Sequence, residues 1–384
     1  MRFVVCYNVS DAVIDNGIAN GSANGGRGVV PVESGGRHPF GVGRGGGVRQ
    51  RVRIQDVAAA AGVSTQTVSR VLNHKPDVSP ETRTRVLEVI QKMGYEPNIL
   101  ARGLASSKTS TLGLIINNLA DPFYALILAE AEAEARRLDY VFLICSTEQN
   151  PSDELNFLKI LYSRRVDGIL LLALPSAEEQ YRYLLSLHQE GMPVVSIASH
   201  LLDDKISYID IDNVDGGYEA THCLIEAGRC RIAMITGPAQ SVATEARFQG
   251  YCKALEEAGI PYDPALVTGG DWGDRSGYDG MNEIIRRGVL FDGLFAQNDR
   301  MAIAATHALR QAGWEIPRDV SIVGYDDIPQ AAYAFPPLTT IHQPVQDLAR
   351  TATRMLVDLV NNPEMEPRRV LLKPELIQRG SCGD

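Results

Sequence analysis

The sequence predicts a small all-α unit of helix-turn-helix layout, followed by a two-lobed α/β body built on parallel sheets. Three observations predict it. Residues 54–73 read IQDVAAAAGVSTQTVSRVLN, two short helical stretches hinged at Gly62. From Thr111 onward, short apolar runs alternate with amphipathic stretches of helix length, the pattern of parallel sheets covered by helices on both faces. Charge divides at the same place: residues 49–110 carry ten Lys and Arg against five Asp and Glu, whereas residues 111–384 carry 23 against 39.

In the small unit, an Ala-rich helix precedes Gly62, where a tight turn reverses the chain. Ser64 then caps a second helix by accepting from a free backbone N–H. A turn of about 100° per residue sorts that helix into two arcs. Val68, Val71 and Leu72 fall on one arc and pack on the first helix. Thr65, Gln66, Ser69 and Arg70 fall on the other. Their hydroxyl, amide and guanidinium groups can pair with base edges in a major groove. An ordinary amphipathic helix would show the same period. The charge division favours DNA, because a module of net +5 can sit on phosphates while a body of net −16 stays away from them. Ser79-Pro80-Glu81 starts a third helix with a cap, a Pro and an acid. Val86, Val89, Ile90 and Met93 give it an apolar face, and Gly94 ends it.

In the body, strands are expected at LGLIINN, VFLICST, GILLLAL, PVVSIAS, YIDID, RIAMITG, GLFAQND and SIVGYDD. Helices are expected at Phe123–Leu138, Asp153–Arg164, Tyr218–Ala227 and Met301–Gln311. These are too many strands for one compact sheet, so two successive lobes are expected. Ligands of such sheets lie outside the carboxyl ends of the strands. Those ends carry Asn117, Ser146, Asn298, Asp299, Asp326 and Asp327.

Several classes are disfavoured. No apolar run is long enough to span a membrane. No basic n-region followed by a long apolar stretch marks an export signal. Residues 1–50 are read as a disordered Gly-rich tail, expected to come from an upstream start codon and not to be a functional part of the protein. Gly41, Gly43 and Gly46 fit GxGxxG there, but no strand precedes them. The six cysteines (Cys6, Cys145, Cys223, Cys230, Cys252, Cys382) form no CxxC pair, and His222, Cys223 and Cys230 lack a second ligand pair. No metal site and no cofactor are therefore expected, and the thiols point to a reducing cytoplasm. GxSxG, GxxxxGK[ST] and HExxH are all absent, so no catalytic residues and no enzymatic activity are expected.

With these parts in place, the chain resembles the lactose-repressor (LacI/GalR) family of bacterial transcription regulators over residues 52–381. DVAAAAGVSTQTVSRVLN is similar to the family's DNA-reading pattern, and VSPETRTRVLEVIQKMGYEPN to its third helix and approach to the hinge. DVSIVGYDDI (Asp319–Ile328) and LTTIHQP (Leu338–Pro344) resemble further family stretches. The resemblance implies a DNA-binding domain at 51–96, a hinge helix at 97–110, and a periplasmic-binding-protein-like body at 111–384 that binds effector and dimerises. It implies base reading by Thr65, Gln66 and Arg70, backbone or phosphate contacts by Ser69 and Asn73, and a minor-groove wedge at Leu104.

The same resemblance implies an effector between the lobes, at Asn117, Phe123, Tyr124, Arg247, Trp272, Asn298 and Asp326. Their groups suit a polyol or ring compound: a sugar first, a nucleobase second. Alternatives stay open for several of them. Phe123 and Tyr124 also fit plain core, Asp326 and Asp327 could cap a turn, and Arg247 could be a surface charge. Asp212 is a weaker candidate near the crossover between lobes. Three departures stand out: Arg53 where the family has a capping Ser or Thr, Gly103 inside the hinge helix, and Ala198-Ser199 where a polar group is common. The expected function is an operator-binding repressor in the nucleoid-containing cytoplasm, working as a homodimer on double-stranded DNA. The competing reading is a cytosolic solute-binding sensor without operator specificity. No leucine heptads follow the last strand, so a tetramer is not expected.

Overall fold

The computed structural model describes residues 5–6, 52–72, 75–95, 108–148, 150–172, 178–197 and 205–383. The chain divides into two compact units, Asn8–Ser107 and Met1–Tyr7 with Lys108–Asp384. Of the residues singled out in the sequence, Asn73, Gly103, Leu104, Ala198 and Ser199 lie outside the described residues.

The small unit holds α1 (Ile54–Ala61), α2 (Thr65–Leu72) and α3 (Pro80–Met93). Gly62 closes α1 at φ 65°, a left-handed conformation that costs a glycine little. The Ser64 hydroxyl accepts from Thr67 N at 3.1 Å and Ser79 from Thr82 N at 3.3 Å, so both expected caps are made. Arg53 offers α1 no capping oxygen. Asp56 supplies the missing anchor instead, its carboxylate accepting from Arg53 N at 2.7 Å. Val57, Ala58, Ala61, Val68, Val71 and Val86 form the core, one contribution or more from each helix. Arg83 of α3 donates to Lys75 O at 2.5 Å and Val71 O at 3.5 Å, which fastens the last turn of α2 and the segment after it.

The body carries two sheets. The first runs in the order β1 (Val5–Cys6), β3 (Val141–Ser146), β2 (Thr111–Ile116), β4 (Gly168–Leu171), β5 (Val194–Ile197), β6 (Ser207–Ile211) and β12 (Arg369–Leu372). All its pairings are parallel. The second runs β13 (Glu375–Ile377), β11 (Thr339–His342), β10 (Ser321–Asp326), β9 (Gly293–Ala296), β7 (Ile232–Ile235) and β8 (Val267–Thr268). Only β13 runs antiparallel to its neighbour. Within the segment read as a structureless tail, Val5 and Cys6 pair with Ile144 and Cys145.

Side-chain alternation splits each sheet between two cores, as the two-residue period of a strand requires. Leu112, Leu114 and Ile116 face helices Pro122–Arg137 and Val345–Asn361. Ile115 on the other face joins Leu158 and Leu184 of helices Pro151–Ser163 and Glu178–Gln189. In the second lobe, Ile235 and Ala296 face helices Asp274–Arg287 and Asp299–Gln311. Met234 and Phe295 face Asn213–Glu226 and Val242–Glu257.

One expectation is corrected. The lobes are not successive in sequence. The chain leaves the first lobe after β6, returns after β11 to build helix Val345–Asn361 and β12, and crosses again to lay β13 in the second. Leu348, Ala349, Ala352 and Met355 of the returning helix belong to the first lobe's core. Buried Glu134 on helix Pro122–Arg137 ties that helix down by accepting from Arg354 at 2.6 Å and from Arg137 at 2.9 Å. These hydrogen bonds hold the Glu134 carboxyl below its ordinary range, against the opposing effect of burial.

Candidate DNA-reading surface and effector cleft

Helix α2 presents the faces its sequence requires. Val68 and Val71 are buried, and Leu72 packs against the same core. Thr65, Gln66 and Arg70 are exposed, and Ser69 is half-buried. Arg70 is not idle: its Nη1 lies 3.3 Å from Asp77 Oδ2, both side chains about half exposed. An exposed pair of this kind is worth little in water, so a guanine edge can take the guanidinium over at small cost. Three of the five helix positions expected to meet DNA thus share one accessible face, a fourth lies half-buried beside them, and Asn73 is undescribed.

The candidate effector residues lie at or after the carboxyl ends of strands, where the sheet rule places ligands. Asn117 follows β2, and Phe123 and Tyr124 occupy the first turn of the helix after it. Asp121 caps that helix through Oδ1, which accepts from Phe123 N at 2.9 Å. Asn117 Nδ2 donates to the Tyr124 hydroxyl at 3.2 Å. Phe123 and Tyr124 meet edge to face at 5.5 Å and also pack on the first lobe's core, so the core reading holds for part of each ring.

On the second lobe, Arg247 is buried and not a surface charge. Its Nε donates to Asn213 Oδ1 at 2.8 Å and its Nη1 to the Gln297 carbonyl at 2.5 Å. The guanidinium stacks 3.6 Å from the Tyr325 ring centroid and lies 5.3 Å from that of Trp272. Buried Gln297 is itself held, accepting from Gly237 N at 2.9 Å and donating to Thr244 O at 3.1 Å. Two of Arg247's three guanidinium nitrogens are therefore engaged by the protein, which fixes the direction of Nη2. Asn298 divides its amide: Oδ1 caps a helix by accepting from Met301 N, and Nδ2 donates to Trp272 O, each at 2.9 Å. One hydrogen and one lone pair remain to it. Trp272 sits at φ 70°, a strained position for a bulky residue that the Asn298 bond helps to hold.

Asp326, at the end of β10 and φ 114°, accepts from Gln343 Nε2 at 2.7 Å. Burial pushes its carboxyl up to about 7 despite Arg247, with the Asp121 charge adding and the Gln343 bond opposing. Its neighbour Asp299 is also buried and raised, but is consumed structurally by Thr340 Oγ1 and Ile328 N. Asp327 is likewise structural, pairing with His342 at 3.0 Å and Arg379 at 2.6 Å. Burial raises the Tyr124 hydroxyl, and Asp121, Asp326 and Arg247 all act on it electrostatically. A tyrosine of one lobe thus lies within electrostatic reach of a carboxylate and a guanidinium of the other. Asp212 caps helix Asn213–Glu226 by accepting from Asp215 N at 2.9 Å, a structural role.

Reading the sequence misses Asp121, Asn213, Gln297, Arg300, Tyr325 and Gln343. Only Asp121 carried a signal, the cap-then-proline pair Asp121-Pro122. A close helix contact positions Arg247. A Cβ on Gly250 would lie 2.2 Å from Val214 O, and one on Gly217 2.2 Å from Arg247 O. Gly250→Ala must push helices Asn213–Glu226 and Val242–Glu257 apart. It is expected to cost about 1–3 kcal/mol, read as a lowered Tm; an unchanged Tm would mean that the crossing has slack.

The two units together define a DNA-binding regulator with a two-lobed sensor body. Residues 53–98 match the bacterial regulatory proteins of the lacI family, and residues 221–382 a periplasmic binding protein-like domain. The chain is 39% identical over 340 residues to the HTH-type transcriptional regulator CelR of Thermobifida fusca, covering 87% of this chain and 99% of that one. It is 35% identical over 333 residues to the ribose operon repressor of Escherichia coli K12, covering 86% and 99%. Among solved structures, a CelR–cellobiose complex matches with a TM-score of 0.67 at 36% identity, over 86% of this chain and all of that one. The lac repressor dimer bound to operator and an anti-inducer matches with a TM-score of 0.78 at 27% identity, over 87% and 100%. The chain belongs to the LacI family of bacterial transcriptional regulators. It is a regulator and not an enzyme.

Proposed function

We propose that this protein is a cytoplasmic dimeric repressor whose operator affinity is set by a small sugar bound between the lobes. A β-linked glucose disaccharide is the first choice, supported by the similarity to CelR and its cellobiose complex. The observation that supports the effector reading is the buried Arg247, held by Asn213, Gln297 and the Tyr325 ring, with the buried Asp326 carboxylate on the same lobe and Tyr124 of the other lobe within electrostatic reach of both. In this reading Asp326 accepts from sugar hydroxyls, the third guanidinium nitrogen of Arg247 donates to sugar oxygens, and Trp272 and Phe123 supply flat faces. Asn117 and Asn298 add their remaining polar capacity. Thr65, Gln66 and Arg70 read bases, Ser69 and Asn73 touch the backbone, and Leu104 wedges the minor groove. An effector shifts operator binding only by its differential affinity for the two lobe arrangements.

The test is a selection of bound duplexes from a random library, with protein starting near Val52. An enriched palindrome matches a dimer of reading heads. Cellobiose, ribose and a purine are then titrated against the selected site. Release or tightening by cellobiose alone supports the sugar reading, and a response to the purine alone replaces it. Salt-sensitive binding with no enriched site would favour the sensor without operator specificity.

A further inference from the structure

An ion pair joins the two lobes at the edge of the cleft, apart from the Lys373–Asp215 pair where the chain crosses between them. Arg300 is the second residue of helix Asp299–Gln311 in the second lobe. Its Nη1 lies 3.1 Å from Asp121 Oδ2 in the first lobe. Its other nitrogens fork onto the Asp274 carboxylate of its own lobe. Asp274 opens the helix that follows Trp272, so it holds the guanidinium extended toward the opposite lobe. The Arg300 and Asp121 side chains are only 24% and 10% exposed, which keeps their attraction from being screened as a surface pair would be.

Asp121 is divided in the same way. Oδ1 caps the helix bearing Phe123 and Tyr124, and Oδ2 meets Arg300. One carboxylate thus fixes an effector-facing helix turn and grips the other lobe. Separating the lobes would strip a buried carboxylate and a largely buried guanidinium of their mutual bond, while a closed arrangement keeps it.

We propose that the Arg300–Asp121 pair is a latch between the lobes, which sets the resting balance of lobe arrangements without touching the effector. Arg300 is then a positioning residue for the effector response, and Asp274 its support. This inference rests on the reading that the lobes enclose the effector.

Asp121→Asn and Arg300→Met open the latch from its two sides. Asparagine keeps the capping oxygen for Phe123 N but sets an NH₂ against the guanidinium, so the helix start is preserved. Hydrogen exchange is followed by mass spectrometry on the full chain without effector. Each single variant is expected to speed exchange at both lips of the cleft, around Asn117–Tyr124 and around Trp272–Arg300, by roughly three- to tenfold. The double variant should show no further increase, because either change alone breaks the same bond. Acceleration confined to the mutated lobe, additive effects, or no change at all would overturn the latch. No effector enters this experiment. Failure to find a sugar effector therefore leaves the latch standing, and unchanged exchange removes the latch while leaving the effector reading intact.

Discussion

Arg70→Ala is expected to weaken binding to the selected operator by about 1–3 kcal/mol per reading head and to relax preference at one base pair of each half-site. The reason lies in geometry as well as charge. Arg70 stands exposed on the face of α2 opposite the buried Val68 and Val71, so its truncation leaves the helix packing intact. A guanidinium can make two parallel bonds to one guanine, which no remaining side chain on that face can reproduce. Its partner Asp77 is a weak competitor at 3.3 Å and half exposure. Binding is measured on the operator and on random duplex at two salt concentrations. Loss on the operator with little change on random DNA supports base reading. Equal loss on both, with a shallower salt slope, would reassign Arg70 to the phosphates.

Asp326→Asn is expected to weaken sugar binding by about 1.5–3 kcal/mol, the worth of a hydrogen bond to a charged acceptor, and to remove its pH dependence. In the wild type the folded carboxyl titrates at about 7, far above its ordinary value, chiefly because it is buried. The folded state therefore holds a proton that the unfolded chain releases. Stability falls as pH rises from the ordinary carboxyl range to about 7, and stays lowered above it. A sugar hydroxyl donating to this group favours its ionised form, so affinity should rise between pH 6 and 8. Asparagine cannot ionise. The variant should gain Tm relative to wild type at pH 8 and gain nothing at pH 4, while its sugar affinity stays flat with pH. A wild-type affinity that does not change between pH 6 and 8 would show that Asp326 is not the acceptor.

Much of this molecule was legible from local pattern. The eight expected body strands are all present, because fully buried parallel strands need continuous apolar runs of that length. The caps at Ser64 and Ser79 and the stop at Gly62 follow from residue chemistry that acts within one turn. Strands β8, β11, β12 and β13 were not among those expected: β8 is two residues long, β12 and β13 are partly exposed, and none carries the continuous apolar run of the buried strands. Arg53 looked like a weakened helix start, but the reciprocal bond from Asp56 replaces half of what it lacks.

The candidate site was legible in part, and unevenly. Asn298 and Asp326 were found because each lies at the carboxyl end of a recognisable strand, and Arg247 through the resemblance to the family alone. What they do was not legible. Arg247 spends two donors on Asn213 and Gln297, and Asn298 works first as a cap and as a hold on Trp272. Those partners lie tens of residues away, and no spacing rule connects them.

The sequence alone therefore determined the kind of parts in this protein: a basic reading head, an acidic α/β body, and polar groups where strands end. Each follows from period, capping chemistry or charge, which act over a few neighbouring residues. Only the tertiary structure decided how the body is threaded and which groups meet. Helix Val345–Asn361 returns to the first lobe, Asn213 and Gln297 come to hold Arg247, and Arg300 crosses 179 residues of chain to reach Asp121. Such pairings depend on where the folded backbone delivers each side chain, and on the burial that then gives a carboxylate or a guanidinium its strength.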